Sequence, residues 1–126
     1  MAIDVKVRFR SYLPGAGRDS SGNPSQRKQE VRGVIDLTSY TRGGEPLTPT
    51  DLGLTSIDWL DIKVADAVKS PDPTEGRQSA HFSNSAQEFY LVHTTAAGAE
   101  AESAGATAAT LWFNAFGDSA HGPPLR

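Results

Sequence analysis

The sequence predicts an all-β protein, a single β-sandwich (jelly-roll-like) domain over residues 1–126 with one short helical turn. Three observations carry this reading. In the first ten residues Ile3, Val5, Val7 and Phe9 alternate with Asp4, Lys6, Arg8 and Arg10, the period of two that sets one strand face on a core and the other in water. The chain holds 12 glycines and 8 prolines, which suits short strands joined by turns better than long helices. At 126 residues with 37% hydrophobic content, there is material for one core and no more.

The elements follow in order. Ile3 to Arg10 reads as the first strand, with Phe9 on its core face. Residues 11–28 collect Gly, Pro, Ser and Asn and offer little apolar surface to repay ordering, so a flexible loop is expected there. Glu30 to Leu37 reads as a second strand, in which Val31, Ile35 and Leu37 share a face with Gly33, the mark of a bulge or of a close backbone approach. In residues 40–54, Thr48 suits an N-cap and Pro49 the first helical position. Asp51 supplies a variant capping box, Leu47 and Leu52 a hydrophobic staple, and Gly53 a left-handed stop. One helical turn over 49–52 is predicted, preceded by a chain reversal at Gly43 and Gly44.

Ser56 to Val64 reads as a third strand whose apolar phase slips from Ile57 and Trp59 to Leu60, Ile62 and Val64, which a bulge near Trp59 or Leu60 would explain. Residues 69–79 are turn-rich. Strand character returns around His81 and again over 88–94, where Phe89, Leu91 and His93 oppose Tyr90 and Val92. The Ala/Gly/Glu tract over 94–109 has no large apolar residue with which to dock a helix and reads as a loop. The last strand sets Leu111, Phe113 and Ala115 on one face and Trp112, Asn114 and Phe116 on the other. The tail, 117–126, lacks periodicity and is expected to be flexible or to order on a partner.

Composition removes whole classes of function. The 12 Lys+Arg against 15 Asp+Glu leave a net charge of -3, so no overall cationic field draws nucleic acid or an anionic membrane. Without cysteine there is no disulfide framework, no thiolate nucleophile and no Cys-based metal site. Charges interrupt the amino terminus too often for a signal-peptide core, and no stretch approaches the length and apolarity of a membrane helix.

Candidate chemistry is thin. His81, His93 and His121 form no i, i+4 pair, so a metal site is not expected. The glycine-rich run over 14–22 lacks the endings of a phosphate loop or a dinucleotide fingerprint, and Asp19, Ser20 and Ser21 lack a nucleophile elbow. Asp58 and Asp61 are an odd number apart, so a regular strand points them to opposite faces. Arg8, Arg10, Arg27, Lys28 and Arg32 suggest a local basic patch, with Asp4, Glu30 and Asp36 near enough in sequence to balance it. No enzyme activity and no cofactor are expected.

The stretch YTRGGEPLTPTDLGLTSID, through Gly43, Gly44, Leu47, Thr48, Asp51, Leu52, Gly53 and Leu54, resembles the capsid decoration or cement proteins of tailed bacteriophages. The opening IDVKVRFR, the central GGxxLTxxDLGL segment and an Ala/Thr-rich stretch before a closing strand like LWFNAFG are similar in order to that family. The resemblance implies a non-catalytic β-sandwich that binds the outer surface of the major capsid protein in the virion, assembled in the host cytoplasm and often a homotrimer. It carries no binding residue across. The alternative is a carbohydrate- or receptor-binding module, for which Trp59, Trp112, Tyr12 and Tyr40 would offer stacking faces.

The closing strand adds an expectation of its own. With Leu111 and Phe113 in the core, Trp112 and Phe116 face outward together and need cover. A contact with another copy of the chain provides it, or else the loop over 11–28 folds across both rings.

Overall fold

The computed structural model describes residues 3–12 and 28–119, the side chains of residues 66 and 67 excepted. Eight strands and one 3-10 turn follow in order: β1 (Ile3–Tyr12), β2 (Lys28–Leu37), β3 (Glu45–Pro46), the turn (Pro49–Leu52), β4 (Trp59–Lys69), β5 (Gln78–Ser83), β6 (Glu88–Thr94), β7 (Glu100–Glu102) and β8 (Ala108–Asp118). Two antiparallel sheets pack together as the all-β sandwich that the alternation implies. One runs β1-β2-β8-β4; the other runs β3-β6-β5, with β7 also paired to β6. Of β6's partners, β3 takes Glu88 and Phe89 and β7 takes Val92 to Thr94. Among the described residues no helix is long and apolar enough to cross a membrane.

Strand β8 organises the first sheet, paired along its length with β2 on one side and β4 on the other. Its odd residues Leu111, Phe113 and Ala115 are buried and meet Val31, Ile35 and Leu37 of β2 and Ile62 of β4 in the core. The second sheet contributes Ala80, Phe89 and Leu91, and the connections add Tyr40, Leu47, Leu52, Leu54 and Ile57. Gly33 belongs to this inward set, and the close approach is real: a Cβ there would run into the Lys6 carbonyl and the Phe113 ring.

The central turn forms as its sequence dictates. Thr48 has extended backbone, and Asp51 Oδ2 accepts hydrogen bonds from the Thr48 N–H at 2.9 Å and from its hydroxyl at 3.2 Å. Gly53 ends the turn at φ 72°, left-handed. Leu47 and Leu52 are fully buried, so the turn is a plug in the core as well as a reversal.

Several expectations need correction. The alternation of β1 does not run through: the register steps from Val7↔Gly33 to Phe9↔Arg32, so Arg8 is an extra residue in a bulge. Beyond it Phe9 faces outward and Arg10 inward. The Arg10 guanidinium donates to Gln29 Oε1 at 2.7 Å and to the Leu52 carbonyl at 2.9 Å, satisfying a buried amide and the end of the turn. In β4 the phase slip needs no bulge at Trp59 or Leu60, because the strand starts at Trp59. Ile57 is buried in the preceding connection, and the irregularities lie after Val64.

The tract over 94–109 is not loop throughout. It contains β7, and Ser103 and Thr107 are fully buried; the Tyr40 N–H donates to the Thr107 carbonyl at 2.8 Å and the Ser103 N–H to the Leu91 carbonyl at 2.9 Å. Small side chains let this backbone pass close over the core edge, which is how a tract without large apolar residues becomes buried. At the carboxyl end Gly117 and Asp118 extend β8 and Ser119 bridges to Leu54, so the expected flexible tail is structured as far as Ser119. Asp118 accepts from Lys28 at 2.9 Å and from the Ser56 hydroxyl at 2.9 Å. The expected loop gives up Ser11, Tyr12 and Lys28 to strands; residues 13–27 and 120–126 lie outside the described residues.

Two measurements test this packing. Leu52→Ala should cost about 2–4 kcal/mol in chemical unfolding, the cost of emptying a fully buried leucine site; an unchanged midpoint would show that the turn is not a core plug. Arg10→Ala should cost about 1–3 kcal/mol, because it strands the Gln29 amide and the Leu52 carbonyl, whereas Arg8→Ala on the bulge should stay within about 0.5 kcal/mol.

Candidate functional site

Sheet register places side chains on the outer face of β1-β2-β8-β4 in cross-strand rows. One row holds Trp59 of β4, Phe116 of β8 and Glu30 of β2; the next holds Asp61, Asn114, Arg32 and Phe9; the third holds Lys63, Trp112 and Val34. Trp112 and Phe116 therefore share a face, as the alternation of β8 implies, with the Asn114 row between them. Trp112 is 58% exposed, Trp59 50% and Phe9 45%. Phe116 is half-buried beneath Trp59, the ring centroids 5.4 Å apart and tilted at 47°.

Over the middle row lies a groove of about 400 Å³, its walls formed by Arg8 and Phe9 of β1, Arg32 of β2, Asp61 and Lys63 of β4, and Trp112 and Asn114 of β8. The Arg32 guanidinium stacks over the Phe9 ring at 4.9 Å from its centroid, while its Nε donates to Glu30 Oε2 at 2.7 Å. That clamp leaves Arg32 oriented and neutralised. Among the described residues Arg8, Lys63 and Asp61 have no ion-pair or hydrogen-bond partner, and Asn114 Oδ1 is shielded from water without a donor. An uncompensated acceptor of this kind costs stability until something donates to it.

The basic residues grouped in the sequence do not gather. Arg10 turns inward, Lys28 lies between Asp58 at 2.7 Å and Asp118 at 2.9 Å, Arg32 pairs with Glu30, and Arg27 lies outside the described residues. Arg8 alone stays unpaired, joined across the groove by Lys63, which sequence proximity did not suggest. Asp58 is taken up by Lys28 ahead of β4, so it forms no carboxylate pair with Asp61. Of the four aromatic candidates Trp59 and Trp112 are exposed, Tyr12 is half-buried, and Tyr40 is buried with its hydroxyl donating to Glu102 Oε2 at 2.6 Å. Phe9 was missed because strict alternation puts it in the core, and no residue type around Arg8 announces the bulge.

A second polar cluster surrounds Glu75, whose side chain is 3% exposed. It accepts from the Ser70 hydroxyl at 2.6 Å, the Gln78 amide at 2.7 Å and the Ala104 N–H at 2.7 Å, with His93 Nδ1 at 3.5 Å. The serine is bonded to the carboxylate and not to the imidazole, so the group lacks the relay of a hydrolase. It ties the connection before β5 to β6 and to the segment before β8. His81 is exposed, and His121, like Asp19, Ser20 and Ser21 and the glycine-rich run, lies outside the described residues. Among the described residues no three His, Cys, Asp or Glu side chains stand close enough to hold a metal ion.

No protein-family model matches the chain, and no curated protein or solved structure matches it either.

The Glu75 cluster gives a pH test. Burial pushes the Glu75 carboxyl up, but the Ser70, Ala104 and Gln78 hydrogen bonds outweigh it and hold it below the usual glutamate range. The Tyr40 hydroxyl, with the Gly43 N–H and Arg42, does the same for Glu102 against its burial. A depressed carboxyl contributes stability that is present above its unfolded pKa and lost as pH falls through the folded value. The melting temperature should therefore hold near neutrality and fall progressively below about pH 5, with a shallower fall in Glu75→Gln; an identical acid limb in that variant would remove Glu75 as a source.

Proposed function

We propose that the chain is a structural decoration (cement) protein of a tailed-bacteriophage head, without enzymatic activity, that binds the outer surface of the major capsid protein and braces the shell. Its place is then the exterior of the virion, after assembly in the host cytoplasm. The observation that carries the reading is the aromatic end of the outer sheet face, where Trp59 stands half-exposed against Phe116. Two large rings at one end of a sheet whose inner face is already packed are surface that a neighbouring protein covers.

The resemblance of residues 40–54 to phage decoration proteins supports the same reading, with the turn acting as scaffold and not as a contact. A closed homotrimer is the assembly in view, since cyclic copies cover such a patch on every subunit at once. Phe116 stays at the proposed contact between copies. Trp59 joins it, and Trp112 lies across the Asn114 row at the margin.

Mass photometry of the full chain should give a trimer for the wild type and a monomer for Trp59→Lys, with the circular dichroism of a folded sandwich in both. The wild type should also cosediment with heads assembled without it and raise the temperature at which they open. A monomeric wild type that leaves those heads unbound would overturn the proposal.

A further inference from the structure

The groove over the middle row has a chemistry different from the aromatic end beside it. One broad indole, Trp112, is exposed at its side. Around that ring stand two cations, Arg8 and Lys63, and one carboxylate, Asp61, none of them with a partner among the described residues. A protein partner is poorly suited to this lining. The centre of a protein–protein contact is depleted of charged residues, and an apolar partner would strip water from several charges without pairing them. A nucleic acid is poorly suited too, because Asp61 sits among the cations and the whole chain carries a net charge of -3.

A sugar ring meets each feature. Its C–H face is apolar with a partial positive edge and lies against the negative face of an indole, while its hydroxyls donate to carboxylate oxygens and accept from cations. The two unpaired cations against the one carboxylate leave one positive charge over, which calls for an anionic group on the sugar. The volume, about 400 Å³, falls within the range of small-ligand sites, about 300–1,000 Å³.

We propose that this groove binds an acidic oligosaccharide, with a pyranose face on Trp112, hydroxyls donating to Asp61, and the sugar carboxylate between Arg8 and Lys63. The site is distinct from the contact between copies at Trp59 and Phe116, and does not depend on the capsid being the partner of that contact. On a virion surface it would add recognition of an acidic glycan to a protein whose proposed work is mechanical.

The test uses the full chain on a glycan array that carries neutral, uronate-bearing and sialate-bearing oligosaccharides, followed by calorimetric titration of the best-retained member at low and high salt. Acidic members should be retained and their carboxyl-reduced counterparts not, and binding should weaken as salt rises. Trp112→Ala and Lys63→Ala should each weaken binding by at least about tenfold with melting temperature unchanged, and Lys63→Ala should leave the oligomeric mass unchanged as well. Trp59→Lys should lose the trimer yet bind the glycan with the wild-type affinity per subunit. An array that retains no acidic member, or binding indifferent to both Trp112→Ala and Lys63→Ala, would overturn the proposal whatever the mass measurement shows. A monomeric wild type that still binds the acidic glycan would count against the decoration reading and leave this one standing.

Discussion

The bulge at Arg8 is the constraint on which both ends of this sandwich depend. A single extra residue in β1 exchanges the faces of everything that follows it. It carries Arg10 under the sheet, where the guanidinium joins Gln29 to the end of the central turn, and it lifts Phe9 onto the outer face, where Arg32 stacks on it. Without the bulge Phe9 would compete for a core already occupied by Phe113 beside Gly33, and the outer groove would lose one wall. Gly33 sits opposite the last residue before the bulge, and its missing Cβ makes room for the Lys6 carbonyl. The bulge and the glycine are two halves of one local accommodation.

Strand β8 converts that local geometry into a surface. Because β2 and β4 flank it along its length, its inner residues are sealed and its outer ones are displayed in fixed rows. Rigid pairing on both sides suits a binding face, since side chains held by a sheet lose little freedom when a ligand arrives. The face also divides chemically. Trp59 on Phe116 makes an apolar end, and the Asn114 row with Lys63 and Trp112 makes a charged and aromatic middle. Those two compositions favour different partners: buried apolar contact in one case, paired polar groups around a ring in the other.

Polar groups stabilise the regions where apolar material runs short. The segment before β8 holds its place through Ser103, Thr107 and the Glu75 cluster, in which nearly every acceptor meets a donor. Lys28 between Asp58 and Asp118 closes the end where β2, β4 and β8 meet, and Asp118 also takes the Ser56 hydroxyl. Such exposed ion pairs add modest energy, but here they fix the direction in which the chain leaves the sheet. A chain with 37% hydrophobic content depends on this kind of local satisfaction to keep its loops against the core.

The sequence by itself determined the features that rest on local chemistry. The 49–52 turn was legible because Thr48, Pro49, Asp51 and Gly53 each act within a few bonds of one another. The two faces of β8 were legible because a strand alternates wherever its pairing is regular, and the β-sandwich followed from such strands and the turns between them. The tertiary structure decided what depends on residues far apart in the chain. The Arg8 bulge is set by the match of β1 to Gly33 and by the site that Leu52 and Gln29 offer to Arg10, neither of which any neighbour of Arg8 encodes. Burial of Thr107 depends on Tyr40, more than sixty residues earlier, whose N–H bonds the Thr107 carbonyl, and burial of Ser103 on Leu91 and Gln78 of the second sheet. The groove was illegible for the same reason: Arg8, Lys63, Asp61 and Trp112 come from three strands, and only the order β1-β2-β8-β4 brings them around one space.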